Sequence, residues 1–251
     1  MAVTHILFLF AAAVFVPVLA LRPLQAARAL YSKLTTESQT DVQEEIVNLH
    51  NAFRRNVIPS ARNMVKMTWS PDAAENDRIV ARYCDLSKSN SLERRLKNTF
   101  CGENMYSDSY PASWEHVITV WYNESKNFKY GQWPFKDNDL ETEHYTQLVW
   151  APSYLIGCDV ASCRRDKAAK YLYVCHYCHE GNDPDTENVP YQKGPPCGDC
   201  PRNCEDGLCT NPCLYYDEYY NCEKRARLRR CSHPTIQQFC KASCLCTTEI
   251  K

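Results

Sequence analysis

Apolar residues recur at helical spacing in three stretches of the chain, and then the period changes. Val42, Ile46, Leu49 and Phe53 fall at i, i+4, i+7 and i+11, and Thr40 with Gln43 has the form of a capping box, which predicts a helix over Thr40–Val57. Ser70-Pro71 has the form of an N-cap followed by the first helical position, opening a second helix through Val80 and Tyr83 to Cys84. A third helix follows Pro111, with Trp114, Val117, Ile118, Trp121 and Phe128 on one stripe. Beyond it, His144–Trp150, Leu155–Ala161 and Tyr171–Tyr177 are short and rich in aromatic and β-branched residues, which predicts strands. Helices before strands indicate an α+β domain with an antiparallel sheet.

The chain is 251 residues long, with 29 basic and 30 acidic side chains, a balance that argues against a nucleic-acid binder. Ile6–Val16 is an apolar run that Pro17 and a small-residue exit at Ala20 terminate, so residues 1–20 read as a secretory signal peptide rather than an anchor. A span would need about 18 apolar residues, and Arg22 cuts the run short. The mature protein is expected to be secreted and oxidised. Sixteen cysteines fit that compartment: six lie between Cys84 and Cys178, and ten between Cys197 and Cys246. Residues 181–196, rich in Pro, Asn and Asp, read as a linker. The six cysteines from Cys213 onward mark a stapled module too small to be held by a core alone.

Two cysteine spacings invite other chemistry. Cys175-His176-Tyr177-Cys178-His179 matches a haem-attachment pattern, and Cys175/Cys178 with Cys197/Cys200 has zinc-ribbon spacing. Both need thiols that a secreted chain oxidises, so disulfides are the preferred reading. No Gly-x-Ser-x-Gly elbow or His-Glu-x-x-His motif is present, and His50 and His176 read as structural histidines.

Glu143-His144-Tyr145-Thr146-Gln147-Leu148-Val149-Trp150 resembles the first signature of the CAP superfamily, and Leu172–Tyr177 continuing to Gly181-Asn182 resembles the second. His50-Asn51-Ala52-Phe53-Arg54 and Cys101-Gly102-Glu103-Asn104 match further blocks, and with the ten-cysteine tail the chain resembles a cysteine-rich secretory protein over nearly its whole mature length. The stretches CHYCHEGNDP, CTNPC and YYDEYY are most similar to the epididymal branch. The resemblance implies an α-β-α sandwich CAP domain over 21–190, a linker and disulfide hinge over 191–212, and a small helical ion-channel-regulator domain over 213–251. It also implies the pairs Cys84–Cys163, Cys101–Cys178, Cys158–Cys175, Cys197–Cys204, Cys200–Cys209, Cys213–Cys246, Cys222–Cys240 and Cys231–Cys244. Sequence alone leaves the pairing open, since six cysteines already allow 15 connectivities.

The family's cleft carries two histidines and two glutamates that hold a zinc-like ion in some members. The matching positions are Lys88, Glu103, Glu124 and His144. Lys88 replaces a histidine and cannot ligate while protonated, so an ion pair of Lys88 with Glu103 or Glu124 is expected, and no cofactor beyond weak divalent-metal binding. Glu143 and Glu180 also depart from the signatures, each replacing a small residue. The acidic residues Asp137, Asp139, Glu141 and Glu143 read as a solvated run, because they lack the regular spacing of a calcium loop. Asn123-Glu124-Ser125 is a glycosylation sequon. In the tail, Lys224, Arg225, Arg227, Arg229 and Arg230 form a basic loop that could be steered to an anionic target. The resemblance implies a non-enzymatic monomer that partners sperm and oocyte surfaces and ion channels, with peripheral association at membrane surfaces. A cleft hydrolase using His144, Glu103 and Glu124 and a CAP-domain sterol or lipid carrier are the alternatives.

Overall fold

A computed structural model describes residues 25–133, 141–163, 170–219, 221–229 and 231–251. Residues 1–24, with the expected signal peptide, and Asp137, Asp139 and Arg230 lie outside the described residues, as does the side chain of Arg229.

The first helix, α1, runs Thr40–Arg55. Its N-cap is Gln39, without a side-chain cap, so the Thr40/Gln43 box does not form; the Gln43 amide instead donates to the Thr36 carbonyl at 2.7 Å. β1 (Thr68–Trp69) leads into α2 (Pro71–Tyr83), where the Ser70 hydroxyl caps the Ala73 N–H and Cys84, at φ 57°, ends the helix. β2 (Arg95–Leu96) and β3 (Thr99–Asp108) precede α3 (Trp114–Asn123), whose buried stripe is Trp114, Val117, Ile118 and Trp121. Phe128 lies past the end of α3 and packs on the core from the following loop. α4 (Glu143–Leu148) is followed by β4 (Leu155–Cys163) and β5 (Lys170–Cys178).

The sheet order is β1-β4-β5-β3-β2, antiparallel except for β1 against β4. Helix α2 packs on β4 and β5, while α1, α3 and α4 pack together on the other face, giving an α-β-α sandwich. The α2 face can come close because Gly157 has no side chain: a Cβ there would lie 2.2 Å from the Ala74 nitrogen. Two disulfides, Cys101–Cys178 and Cys158–Cys175, join residues directly opposite across β3–β5 and β4–β5 and so fix register on both sides of β5.

Two expectations fail here. His144–Trp150 is not a strand; most of it is the helix α4, because a half-buried carboxylate from the α3 end caps its first amides and tertiary contact overrides β propensity. The helices are also not segregated from the strands, since β3 falls between α2 and α3.

The C-terminal region holds the hairpin β6 (Cys204–Glu205) and β7 (Leu208–Cys209), then α5 (Cys222–Arg229), α6 (Pro234–Phe239) and α7 (Lys241–Leu245). Eight disulfides, in the pairs the resemblance implies, leave no cysteine free. Residues 181–196 are not a free linker. Tyr191 is buried in the core, and the backbone from Asn188 to Cys209 is hydrogen-bonded to Gly131, Ala151 and the 60–66 loop. Polar composition concealed one aromatic anchor.

Candidate functional site

Two of the matched positions, Glu124 and His144, meet where α3 ends and α4 begins. Glu124 follows the last residue of α3 and turns its carboxylate back over α4. Its Oε1 accepts from His144 Nδ1 at 2.6 Å, and its Oε2 accepts the N–H groups of His144 and Tyr145 at 3.0 and 3.2 Å. The His144 ring is parallel to Trp121, 9° between planes at 6.3 Å, and the Asn104 amide donates to the His144 carbonyl. Burial alone would lower the His144 pKa, but the Glu124 carboxylate outweighs it and holds the imidazole above its ordinary value.

Glu103, on β3, faces a different set of partners. It accepts from the Ser89 N–H and hydroxyl at 2.9 and 2.6 Å and from His176 Nε2 at 3.1 Å. On the other side of the ring, Asp77 lies 3.1 Å from His176 Nδ1, poorly aligned and fully buried. Burial, with Asp159 and Glu103 nearby, pushes the Asp77 carboxyl well above the usual carboxylate range. Burial opposes ionisation of Glu103, yet the His176 and Ser89 hydrogen bonds prevail and lower its pKa. Burial also lowers His176 despite Glu103, so the two carboxyl groups flanking the ring are shifted in opposite directions, Asp77 up and Glu103 down.

Lys88 does not join either carboxylate. It is exposed and makes no ion pair with a described residue; its neighbour Ser89 takes the contact with Glu103. The expected Lys88 ion pair is thus absent, because each glutamate already has internal partners and an exposed ammonium gains little by leaving water. The four matched positions do not assemble a zinc ligand set: Lys88 is a cation in solvent and Glu103 is saturated elsewhere. Glu124, His144 and the exposed Glu141 offer atoms within 4.8 Å of one another, but the Glu124–His144 contact is itself a hydrogen bond that a metal would have to break.

The block at 50–54 is structural. His50 bonds the Ile46 carbonyl through Nδ1 and the Tyr177 hydroxyl through Nε2. Asn51 pairs both ways with Met67. Arg54 is fully buried and donates to the carbonyls of Val65, Leu148, Trp150, Ala151 and Ser153. The roles of Arg54 and Asp77 were missed from sequence.

The family profile described as "Cysteine-rich secretory protein family" matches residues 47–177, and the one described as "Crisp" matches 197–251. Cysteine-rich secretory protein 1 of Macaca mulatta is 58% identical over all 251 residues, covering 100% of both chains. The chain belongs to the cysteine-rich secretory protein family. Cysteine-rich secretory protein 3 of Homo sapiens is 46% identical over 222 residues, covering 88% of this chain and 89% of that one. Among solved structures, Na-ASP-1 superposes with TM-score 0.57 at 25% identity, over 67% of this chain and 46% of that one. A structure titled NaASP2 with Zn2+ gives 0.55 at 24% identity, over 71% and 97%, and shows the shared fold alone. The CAP region of this family member therefore has the family fold, with His144 bonded to Glu124 at the start of α4.

The Crisp region presents the basic residues. Lys224, Arg225 and Arg227 are exposed on α5, Arg227 paired with Glu223. Asn123 is exposed at the end of α3. No helix among the described residues is long and apolar enough to cross a membrane, and eight disulfides with secretory relatives fit a secreted chain.

Proposed function

We propose that the protein is a secreted, non-enzymatic, monomeric sperm-surface protein of the epididymal kind, acting in sperm maturation, sperm–egg interaction and ion-channel (calcium) regulation. The observation that carries this reading is the exposed basic face of α5 on a module stapled internally by three disulfides, joined to the CAP domain through a hinge that two further disulfides close and that hydrogen bonds dock. Residues 213–251 hold seven basic and four acidic groups, so the tail is positive on a chain of net charge −1. Such a polarised surface accelerates encounter with an anionic target. The commitment of Glu103 and Glu124 to internal hydrogen bonds supports a cleft that organises the fold rather than turning over a substrate.

The test uses the full mature chain with Lys224, Arg225 and Arg227 changed to Gln. Sperm and oocyte binding and calcium current are measured at two ionic strengths. Slower association at low salt, with the difference shrinking as salt rises, is the expected result. Unchanged binding at low salt would move the contact to the CAP domain. Metal-dependent hydrolysis lost on His144→Ala would replace the reading with the hydrolase.

A further inference from the structure

On α5, Cys222 is buried and Ala226 half-buried, so the helix turns that side inward. Lys224 and Leu228 sit two residues further on, about 200° around the helix, and point outward. Leu228 is 73% exposed. The same arrangement recurs on α7: Lys241 is exposed, and four residues later Leu245 is 49% exposed. The Cys231–Cys244 disulfide, with Cα atoms 5.5 Å apart, lies three residues after Leu228 and immediately before Leu245. It brings both leucines to one end of the module, each with a lysine one turn behind it and Arg225 beside Leu228.

We propose that this end of the module is an interfacial contact for anionic lipid headgroups, with Leu228 and Leu245 entering the acyl boundary and Lys224, Arg225 and Lys241 meeting the phosphates. The proposal deepens the cell-surface reading and rests on the tail making that contact. Charge complementarity selects an anionic surface, since Lys224 and Arg225 make no ion pair with a described residue. The projecting aliphatic side chains select lipid. A protein partner must offer a pocket shaped for each leucine, whereas a bilayer accepts both without shape matching and leaves the ammonium groups at the headgroup level. Each basic residue near such a surface strengthens binding about fivefold.

The experiment is flotation of the full mature protein with phosphatidylcholine vesicles, with and without about one third phosphatidylserine. Binding to the anionic vesicles only, weakening with salt, is expected. Leu228→Ser with Leu245→Ser should lower partitioning about tenfold or more, and Lys224→Gln with Arg225→Gln about 25-fold, with all disulfides retained. No flotation with anionic vesicles at low salt overturns the proposal, as does equal flotation with pure phosphatidylcholine or indifference to the leucine substitutions. Sperm binding is measured with the same proteins. Cells bound without vesicles bound means a protein partner, so that this proposal falls and the surface-binding function stands. Vesicles bound without cells bound supports the lipid contact and removes that function.

Discussion

Replacing Arg54 perturbs the one fully buried cation among the described residues, which makes no ion pair with a described carboxylate. Its guanidinium makes six hydrogen bonds to five backbone carbonyls, two of them to Val65. Burial pushes its pKa down to about 9, so the charge is held against a cost of roughly 5 kcal/mol. In Arg54→Met that cost disappears, but five carbonyls lose their donor at about 2 kcal/mol each, or about 10 kcal/mol together. The net loss is about 5 kcal/mol, comparable with the whole stability of many domains. Arg54→Lys keeps the buried charge and offers three donors for five carbonyls, so about 4 kcal/mol is lost there. Guanidinium unfolding with the disulfides intact measures both variants. An Arg54→Met midpoint equivalent to less than about 1 kcal/mol of change would show that the carbonyls find other donors, and would refute the reasoning.

Acid should weaken the fold through His50, which burial pushes down to about 4. A folded value below the unfolded one means stability is complete above about pH 6.5 and falls by about 3 kcal/mol toward pH 4; His50→Gln should flatten this slope in urea titrations at the two ends. Glu124→Ala removes the α4 cap and should cost about 1–2 kcal/mol more than Glu124→Gln, read by thermal unfolding, while Glu124→Gln should bring the His144 titration down by NMR. Zinc should bind weakly by calorimetry, and tight binding abolished by His144→Ala would contradict the committed carboxylates. Alkylation of the native protein should label no cysteine, and deleting the Cys222–Cys240 bond should cost about 2–5 kcal/mol and unfold the tail module.

Periodicity located α2 and the buried face of α3 because their apolar residues coincide with the packed stripe. On α1 the same reasoning chose Leu49 and Phe53, which are only partly buried, whereas the deepest four-residue series is Val42, Ile46, His50 and Arg54. Two polar side chains occupy core positions there, and hydropathy assigns them to the surface. Helix α4 was hidden for a related reason: its amides are satisfied by Glu124, 20 residues away from His144 in the chain, and no local pattern carries that contact. The cleft residues were found through resemblance, but the division into a Glu124–His144 pair and an Asp77–His176–Glu103 cluster needed the strand register that sets Glu103 opposite His176.

The docked hinge shares its platform with Arg54. Val65 donates to Ala151, Ala151 donates to Pro190, and the neighbours of Val65 exchange hydrogen bonds with Cys209; the Val65 and Ala151 carbonyls are both held by the guanidinium. Salt bridges Arg55–Asp206, Arg62–Asp199 and Lys66–Glu205 close over the same seam. Residues 62–66, 151 and 188–209 are therefore expected to open as one cooperative unit, with amides that exchange with solvent deuterium together rather than residue by residue. A protease that cut the hinge would have to wait for that opening, and each opening would bare a buried cation.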